Sequence, residues 1–330
     1  MTTAPSLAER EMFTEILEAI FHDHKGSDAT TALNEFGVAD VLRTDRAHAI
    51  PIVFELQGTS ASTSATLNHV MAMSLEPVLT GCLDLPVLLP MSATSATQDA
   101  DGGLRVAGVL LGTPDPTRIV VGGEPLDGVL GIINVHDHGL ELRPVAGIDP
   151  TLALMTLTAD RVPVEKLVLG PPGATAWQEA LVWGRIALAA ELVGAGRAAL
   201  SLATDHAANR AQFGQPIGSF QAVKHRLANA LIEIEAASSA VAAAAIRPTR
   251  LSAMVAKSAA GRAARTACAH ALQVLGAVGF TLEHPFHRFQ RRSIALDHLL
   301  GSSDDLPREI GAALRTLDRV PAIVDLEDDQ

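Results

Sequence analysis

Residue types suited to holding a charged aromatic ligand occur together in the second half of the chain. They lie in the stretch Arg210-Ala-Gln-Phe-Gly-Gln-Pro-Ile-Gly-Ser-Phe-Gln-Ala-Val-Lys-His225. A planar guanidinium, an amide that both donates and accepts, and an aromatic ring would suit a phosphate-bearing aromatic cofactor. The simpler interpretation is a helix–helix corner in which the arginine bonds to carbonyl groups.

The same stretch also has to connect two alanine-rich segments with helical periodicity. Gly214, Pro216 and Gly218 interrupt that periodicity, so a turn is predicted here. We expect burial of its apolar side chains to anchor the turn. These side chains are Phe213, Ile217 and Phe220.

Other clusters of chemically active residues have ordinary explanations. His136-Asp-His138 lacks a third clustered ligand, Glu283-His284-x-x-His287 is a second candidate cluster, and no metal is predicted. Asp205 and His206 are helical neighbours whose side chains diverge, which argues against a catalytic dyad. Lys224-His225-Arg226 is interpreted as a polar helix face. Glu191 is interpreted as a solvated or interface carboxylate, with a catalytic base as the alternative.

The composition limits the kinds of partner. The chain has 330 residues, a formal net charge of −12 and 48% hydrophobic residues. The acidic balance argues against nucleic acid and against a membrane surface. No uninterrupted apolar run reaches about 18 residues, and the first residues are not those of a signal peptide. Two cysteines are too few for a disulfide framework, so a cytoplasmic protein is expected.

Three regions are expected along the chain. Residues 1–84 form a helical domain, with helices at 6–21, 30–45 and 59–79, the first begun by a Ser6 and Glu9 capping box. Short β-branched runs at 85–173 predict a β domain closed by the linker Gly170-Pro-Pro-Gly. Residues 174–330 form a bundle with helices after Trp177, around Val223–Val241, at 249–275 and after Ser302-Ser-Asp-Asp305.

Together these features resemble the acyl-CoA dehydrogenase family. The α–β–α order and the Arg210–His225 motif match it, and so does Gln273-Val-Leu-Gly-Ala-Val-Gly-Phe-Thr-Leu-Glu-His-Pro-Phe-His-Arg288. The resemblance implies an α+β fold: a shortened N-terminal helical domain, a middle β-barrel or sandwich domain, and a C-terminal four-helix bundle. Arg291-Arg292 replaces the family's Arg-Asp pair.

The resemblance also implies FAD, shared across a subunit interface. In the family the two motifs of one subunit grip the adenosine-diphosphate part of a flavin seated in its neighbour. The residues that would do so here are Arg210, Gln212, Phe213, Gln273, Gly276, Ala277, Gly279, Ser302 and Asp304. Ala277 replaces a family glycine, a mild change if its backbone dihedrals are negative. Glu283 or His284 could approach the phosphates, since the family turn lies there.

The family's catalytic glutamates are missing at both positions that its branches use. One position lies just before Arg185, which precedes Arg210 by 25 residues, and it is occupied by Gly184. The other lies fifteen residues after Pro285 and is occupied by Leu300. The flavin-ring loop expected at 91–99 lacks its glutamate, proline and glycine. No catalytic residue is therefore predicted in this chain.

The resulting prediction is the base-lacking subunit of a heteromeric (α2β2) acyl-CoA dehydrogenase, similar to those of actinobacterial steroid side-chain degradation. A full-length partner subunit would supply the glutamate and the acyl-CoA pocket. Two alternatives stay open. One is a self-sufficient homo-oligomeric dehydrogenase with a displaced base at Glu191 or Glu283, and the other is a non-enzymatic scaffold or regulator.

Overall fold

The computed structural model describes residues 7–24, 27–90, 94–98, 103–112, 116–123, 128–136 and 140–317. By its internal contacts the chain divides into two compact units. The first unit comprises Met1–Arg46, Ser62–Arg185 and His298–Gly301. The second unit comprises Ala47–Ala61, Ile186–Asp297 and Ser302–Gln330. The predicted domain boundaries at 84 and 173 stay predictions.

The first unit begins with short helices. They are α1 (Leu7–Asp23), α2 (Ser27–Phe36), α3 (Val38–Thr44) and, further along the chain, α5 (Thr66–Leu75). The helix predicted at 6–21 is confirmed by α1, although Ser6 of its capping box lies outside the described residues. The helix predicted at 59–79 is confirmed in part, because α5 covers only Thr66–Leu75 of it. The backbone is left-handed at Ala61 (φ 49°), which separates α5 from a preceding helix, α4 (Arg46–Ser60), that the sequence pattern did not indicate.

The β domain of the first unit consists of antiparallel strands. They are β1 (Leu89–Pro90), β2 (Ala96–Gln98), β3 (Leu104–Leu110), β4 (Arg118–Gly123), β5 (Val129–Asn134), β6 (Arg143–Pro144), β7 (Met155–Val162) and β8 (Lys166–Leu169). One sheet has the order β1-β3-β7-β6 with β2 paired to β3, and the other has the order β4-β5-β8. Alternate residues of these strands form a buried aliphatic core that includes Leu104, Val106, Ile119, Val121 and Leu157.

The linker predicted at Gly170-Pro-Pro-Gly is wrong. Helix α6 (Pro171–Asn209) begins at the first of these prolines. The first turn of a helix has no intrahelical acceptors for its N–H groups, so proline is tolerated there and its fixed φ favours the helix. Gly170, with φ 83°, makes the turn that leads into it.

The second unit is a helical bundle. It contains α4, the later part of α6, α7 (Gln221–Ile246), α8 (Arg250–Leu275), α9 (Phe286–His298) and α10 (Leu306–Leu314). The predicted helices up to Arg247-Pro248 and from 249 to 275 are confirmed by α7 and α8. Thr249 caps α8 by accepting from the Ser252 N–H at 3.1 Å. Helix α9 was not predicted.

Glycine allows α4 and α6 to cross at backbone contact. A Cβ placed on Gly58 would lie 2.1 Å from the carbonyl oxygen of Glu191. A Cβ on Gly194 would lie 2.0 Å from the carbonyl oxygen of Glu55. Both distances are far inside van der Waals contact, so the crossing depends on the absence of these side chains.

By length and composition alone, α6 and α7 could each span a membrane, a test that core helices of soluble proteins also pass. In α6, 72% of the most apolar window is buried within the protein, as in a core helix. In α7 only 33% of that window is buried. Exposed apolar side chains on α7 include Leu231, Ile232 and Ile246.

Candidate functional site

The Arg210 motif forms a small hairpin at the end of α6. Strands β9 (Ala211–Gln212) and β10 (Gln215–Pro216) pair antiparallel around the central residues Phe213 and Gly214. Both central residues have positive φ, 55° and 81°, as a type I′ turn requires. Left-handed backbone is costly for phenylalanine, and such strain is typical of sites with a function beyond folding.

The predicted burial of Phe213 is wrong, because its side chain is 91% exposed at the tip of the hairpin. A type I′ turn projects its central residues away from the protein. The ring makes an edge contact with Phe220, with centroids 6.2 Å apart. An aromatic side chain presented in this way is available to a ligand or to another chain.

The Arg210 side chain does not bond to carbonyl groups of the described residues, as it would in the simple helix–helix corner considered from the sequence. Its backbone N–H donates to the His206 carbonyl at 2.8 Å and its carbonyl accepts from Ile217 at 2.8 Å. Its exposed guanidinium makes no hydrogen bond or ion pair with any other described residue. The Gln212 amide is also exposed and donates to the Ala211 carbonyl at 2.7 Å. The hairpin therefore offers a guanidinium that is free to bind an anion.

The second motif is a turn at the end of α8. Gly276 ends the helix with φ 62°, and residues Gly276–Phe280 form a 3-10 helix. Ala277 is not among the residues with positive φ, so its replacement of glycine costs little, as expected. Gly279 is buried, and a Cβ there would lie 2.9 Å from Leu272. Gly279 is thus closely packed, whereas Gly276 faces open space.

Exposed side chains accompany this turn. Gln273 is exposed in the last turn of α8. Phe280 and Leu282 are 77% and 71% exposed. A glycine that faces open space leaves backbone N–H groups accessible to a phosphate or ribose. These features and the unpaired guanidinium of Arg210 fit the adenosine-diphosphate part of a flavin.

Ser302 and Asp304 are already bonded within the protein. Ser302 is buried and its hydroxyl donates to Asp305 at 2.6 Å. Asp304 accepts two hydrogen bonds from Arg265, both at 2.9 Å. Their assignment to a cofactor stays a prediction, and these bonds would have to be exchanged for it.

Gly184 and Leu300, at the two positions predicted from motif spacing for the family's glutamates, are in contact within the first unit. A Cβ on Gly184 would lie 2.7 Å from Leu300 Cδ1 and 3.1 Å from Met71 Sδ. Leu300 is 2% exposed. Aliphatic side chains therefore fill the space next to Gly184.

Local bonds hold Leu300 in that place. Its backbone is left-handed, with φ 57°, and Gly301 follows with φ 106°. The buried Arg185 donates from Nε to the Leu300 carbonyl at 3.0 Å. A charge-assisted hydrogen bond of this kind offsets the strain of a non-glycine residue at positive φ.

In the described part of the loop at 91–99, the side-chain hydroxyls form hydrogen bonds within the protein. The Thr94 hydroxyl donates to the Ala96 carbonyl at 2.8 Å. The Ser95 hydroxyl donates to the Gly122 carbonyl at 2.8 Å and accepts from the Gly122 N–H at 3.2 Å. Residues 91–93 and 99 lie outside the described residues. The two hydroxyls would have to exchange these bonds in order to donate to a flavin ring.

Glu191 is part of a buried ion pair. Its Oε1 accepts from Arg292 Nη1 at 2.8 Å and its Oε2 accepts from Gln57 at 2.9 Å. Arg292 also donates to the Ala61 carbonyl at 3.3 Å. Both charged side chains are almost fully buried. The interpretation of Glu191 as a solvated or interface carboxylate is therefore wrong, because its carboxylate is buried against Arg292 and Gln57 of the same chain.

The same contact accounts for the Arg291-Arg292 departure from the family motif. A buried guanidinium has to be compensated, and Glu191 supplies the negative charge. The sequence analysis missed this pairing, since residues 191 and 292 lie far apart in the chain. The available signal was an arginine where the motif has an acid.

The remaining candidates from the sequence are the two histidine clusters and Glu283. No group of three metal-ligating residues occurs in the parts of the chain that the structure describes. The His136 N–H donates to Asn134 at 3.0 Å, and residues 137 and 138 lie outside the described ranges. Glu283 is exposed in the loop before α9.

Comparison with known proteins connects these features. The family description "Acyl-CoA dehydrogenase, C-terminal domain" matches residues 172–314. The acyl-CoA dehydrogenase IpdE2 of Mycobacterium tuberculosis is 32% identical over 319 residues, covering 92% of this chain and 95% of that protein. The chain belongs to the acyl-CoA dehydrogenase family. The resemblance seen in the sequence motifs is thus confirmed.

Solved acyl-CoA dehydrogenases share the whole fold. The Tcur3481–Tcur3483 steroid acyl-CoA dehydrogenase, in its G363A variant, superposes with a TM-score of 0.80 at 23% identity, over 94% of this chain and 98% of that chain. The ChsE4–ChsE5 complex of M. tuberculosis superposes with a TM-score of 0.79 at 19% identity, over 98% and 100%. The α+β fold class predicted from the sequence is confirmed.

Proposed function

We propose that this chain is one subunit of a heteromeric acyl-CoA dehydrogenase and completes the FAD site of a partner that carries the catalytic glutamate. The reaction is α,β-dehydrogenation of an acyl-CoA thioester, for which bound FAD supplies the hydride acceptor. The observation that carries the proposal is the contact between Gly184 and Leu300. Neither residue can take a proton, and a general base contributes roughly 10²–10⁴ in rate.

The filled space also argues against a base recruited from nearby. With Leu300 Cδ1 and Met71 Sδ this close to Gly184, a carboxylate has no room beside the helix without repacking. Glu191, the displaced base considered from the sequence, neutralises the buried Arg292 instead. A glutamate in that role is a structural residue. Glu283 remains the candidate for a self-sufficient enzyme.

Exposed apolar side chains support a partner subunit. Phe213, Phe280 and Leu282 are all more than two-thirds exposed in the two motif segments. Leu231 and Ile232 are exposed on α7. Where such side chains form one contiguous patch, that patch marks a contact with another protein. The partner we propose is a full-length acyl-CoA dehydrogenase subunit in an α2β2 assembly.

The proposed substrate class follows from the relatives. One structural neighbour is a steroid acyl-CoA dehydrogenase and another is a complex of two different chains. We therefore propose an acyl-CoA derived from a steroid side chain, bound mainly by the partner. Giving up one set of active sites would leave room for a bulky acyl group.

Co-expression tests the proposal. The chain is purified alone and together with the full-length dehydrogenase encoded beside it, and the FAD content per complex is measured by absorbance. We expect FAD only in the complex, and we expect Arg210→Ala to weaken FAD retention at least about tenfold through loss of a charge-assisted bond. Arg315→Ala, which changes an exposed arginine after α10, is the matched control.

Two outcomes would count against this function. Tight FAD and substrate-dependent flavin bleaching by the chain alone would show a self-sufficient dehydrogenase, and Glu283→Gln would then identify the base. Partner activity and FAD content that are indifferent to Arg210→Ala would indicate a scaffold.

A further inference from the structure

A cavity of about 440 Å³ lies in the first unit, between α2, α3, the start of α5 and the segment before β1. Its volume is within the range of roughly 300–1,000 Å³ that is typical of small-molecule sites. The apolar part of its lining includes Leu33, Val38 and Leu42, each at most 3% exposed. The cavity is therefore suited to a molecule with an apolar body.

This cavity is separate from the space beside Gly184. Met71 of α5, whose Sδ would lie 3.1 Å from a Cβ on Gly184, does not line the cavity. His69 of the same helix does line it. Side chains two residues apart on a helix differ in direction by about 200°, so these two point to nearly opposite sides. A ligand of the cavity would thus be independent of the proposed acyl-CoA reaction.

Two buried polar side chains of the lining are already paired within the protein. The Asn68 amide donates to the Leu111 carbonyl at 3.3 Å, and its oxygen accepts from the Val87 N–H at 3.1 Å. The Thr66 hydroxyl accepts from Ser64 at 2.8 Å. These bonds hold the wall of the cavity in place without a ligand.

One buried polar atom of the lining has no such partner among the residues that the structure describes. It is Nε2 of His69, which is shielded from solvent and makes no hydrogen bond of ordinary geometry. A buried ring nitrogen without a partner has lost its bond to water and gained none in return. A hydrogen-bonding group on a ligand in the cavity would recover that loss.

The charges around the cavity favour an uncharged ligand. Burial lowers the pKa of His69 from its ordinary value of 6.5, and Arg43 and Arg46 lower it further, against the opposing effects of the Leu83 carbonyl and Asp84. The imidazole is therefore neutral at pH 7. Asp84 lines the cavity and the two arginines do not, so an anion would meet a carboxylate with no cation to offset it. A cation would lose its hydration against the aliphatic wall.

A hydroxyl is the hydrogen-bonding group that suits His69 best. The Nε2 of a neutral imidazole is a donor in one tautomer and an acceptor in the other. A hydroxyl both donates and accepts, so it pairs with Nε2 in either tautomer. A carbonyl only accepts and an ammonium group only donates.

We propose that this cavity binds an uncharged alcohol with an apolar body, whose hydroxyl forms a hydrogen bond with Nε2 of His69. The apolar body packs against the wall that includes Leu33, Val38 and Leu42. The site goes beyond the proposed function, which uses none of these residues.

The test is equilibrium dialysis of the full chain against 2-naphthol, 2-naphthoate and naphthalene. These probes share one ring system and carry a hydroxyl, a negative charge and no polar group, respectively. We expect 2-naphthol to bind with a Kd below about 1 mM. It should bind about threefold to tenfold more tightly than the other two, which is the effect of one hydrogen bond.

Substitution of His69 tests the hydrogen bond. His69→Leu should weaken 2-naphthol binding about threefold to tenfold and leave naphthalene binding unchanged. Leucine leaves no unpaired nitrogen, so this variant should fold. His69→Gln, whose amide also donates and accepts, should keep the preference for 2-naphthol. The control is His22→Leu, which alters an exposed histidine on α1 and should change none of the affinities.

A second variant tests the location by filling the cavity. Ala39 lines the cavity, and Ala39→Phe should weaken the binding of 2-naphthol and naphthalene at least about tenfold. Ala19→Phe, at an exposed position of α1, is its control. Circular dichroism checks that each variant is folded, and the two His69 variants decide by themselves if Ala39→Phe does not fold.

Three results would overturn the inference. They are equal affinities for 2-naphthol and naphthalene, tighter binding of 2-naphthoate than of 2-naphthol, and a 2-naphthol affinity that His69→Leu does not change.

Discussion

At the scale of single residues, one ion pair explains two features of the sequence. It joins Arg292, which departs from the family's Arg-Asp pair, to Glu191, which was considered as a displaced catalytic base. The guanidinium and the carboxylate meet at 2.8 Å with 0% and 1% of their side-chain areas exposed. Taking either charge out of water costs several kcal/mol, which only the partner offsets. Glu191 is thus kept for stability, and its burial beside Arg292 withdraws it from proton transfer.

Removing one member of this pair should therefore destabilise the protein. We expect Arg292→Met or Glu191→Leu to lower the free energy of unfolding by about 3–5 kcal/mol, measured by urea denaturation. The double variant should lose clearly less than the sum of the two. Additive losses would show that the two charges do not compensate each other.

At the scale of elements, glycines decide how closely helices cross. Gly58 on α4 faces the backbone of α6 so closely that a methyl group would overlap the Glu191 carbonyl. Gly311 on α10 has nothing within 4 Å of the position of a Cβ. The two positions have the same residue type and opposite steric surroundings.

Alanine substitution at these two glycines should have opposite effects. Gly58→Ala should destabilise the protein by about 1–3 kcal/mol or prevent folding, because the backbones must move apart. Gly311→Ala should stabilise it by about 0.5–1 kcal/mol, because alanine favours the helix. Thermal unfolding of both variants gives the comparison, and a neutral Gly58→Ala would mean that the crossing can relax.

At the scale of the whole molecule, each compact unit contains one buried cysteine. Cys82 lies in the first unit and Cys268 in the second. Burial raises the pKa of both thiols to about 12, with the Glu76 carboxylate contributing at Cys82 and a Ser293 hydrogen bond partly opposing the shift at Cys268. Only the thiolate reacts readily with alkylating reagents, so both should be inert in the native protein.

Alkylation can therefore show whether the units unfold together. At about pH 8 we expect labelling of either cysteine to be at least about a hundredfold slower than in urea, and to accelerate as the pH is raised towards 12. Mass spectrometry of the labelled peptides across a urea series gives a separate midpoint for each cysteine. Fast native labelling at Cys82 would contradict its burial.

Much of this protein was determined by its sequence alone. The helical and β-branched periodicities predicted α1, α7, α8 and the main strands, and the spacing of two motifs predicted the family. Local patterns suffice for such features, because periodicity and turn chemistry are properties of neighbouring residues. The same spacing predicted that Gly184 and Leu300 occupy the positions of the family's glutamates, and this stays a prediction.

Only the tertiary structure decided what those residues touch. It brought Gly184 against Leu300 and paired Arg292 with Glu191. It also exposed Phe213, which its apolar character alone predicted to be buried. Each of these depends on residues distant in sequence or on a left-handed backbone, and neither is encoded in a local pattern. Packing therefore turned a list of substituted positions into a filled space and a buried ion pair.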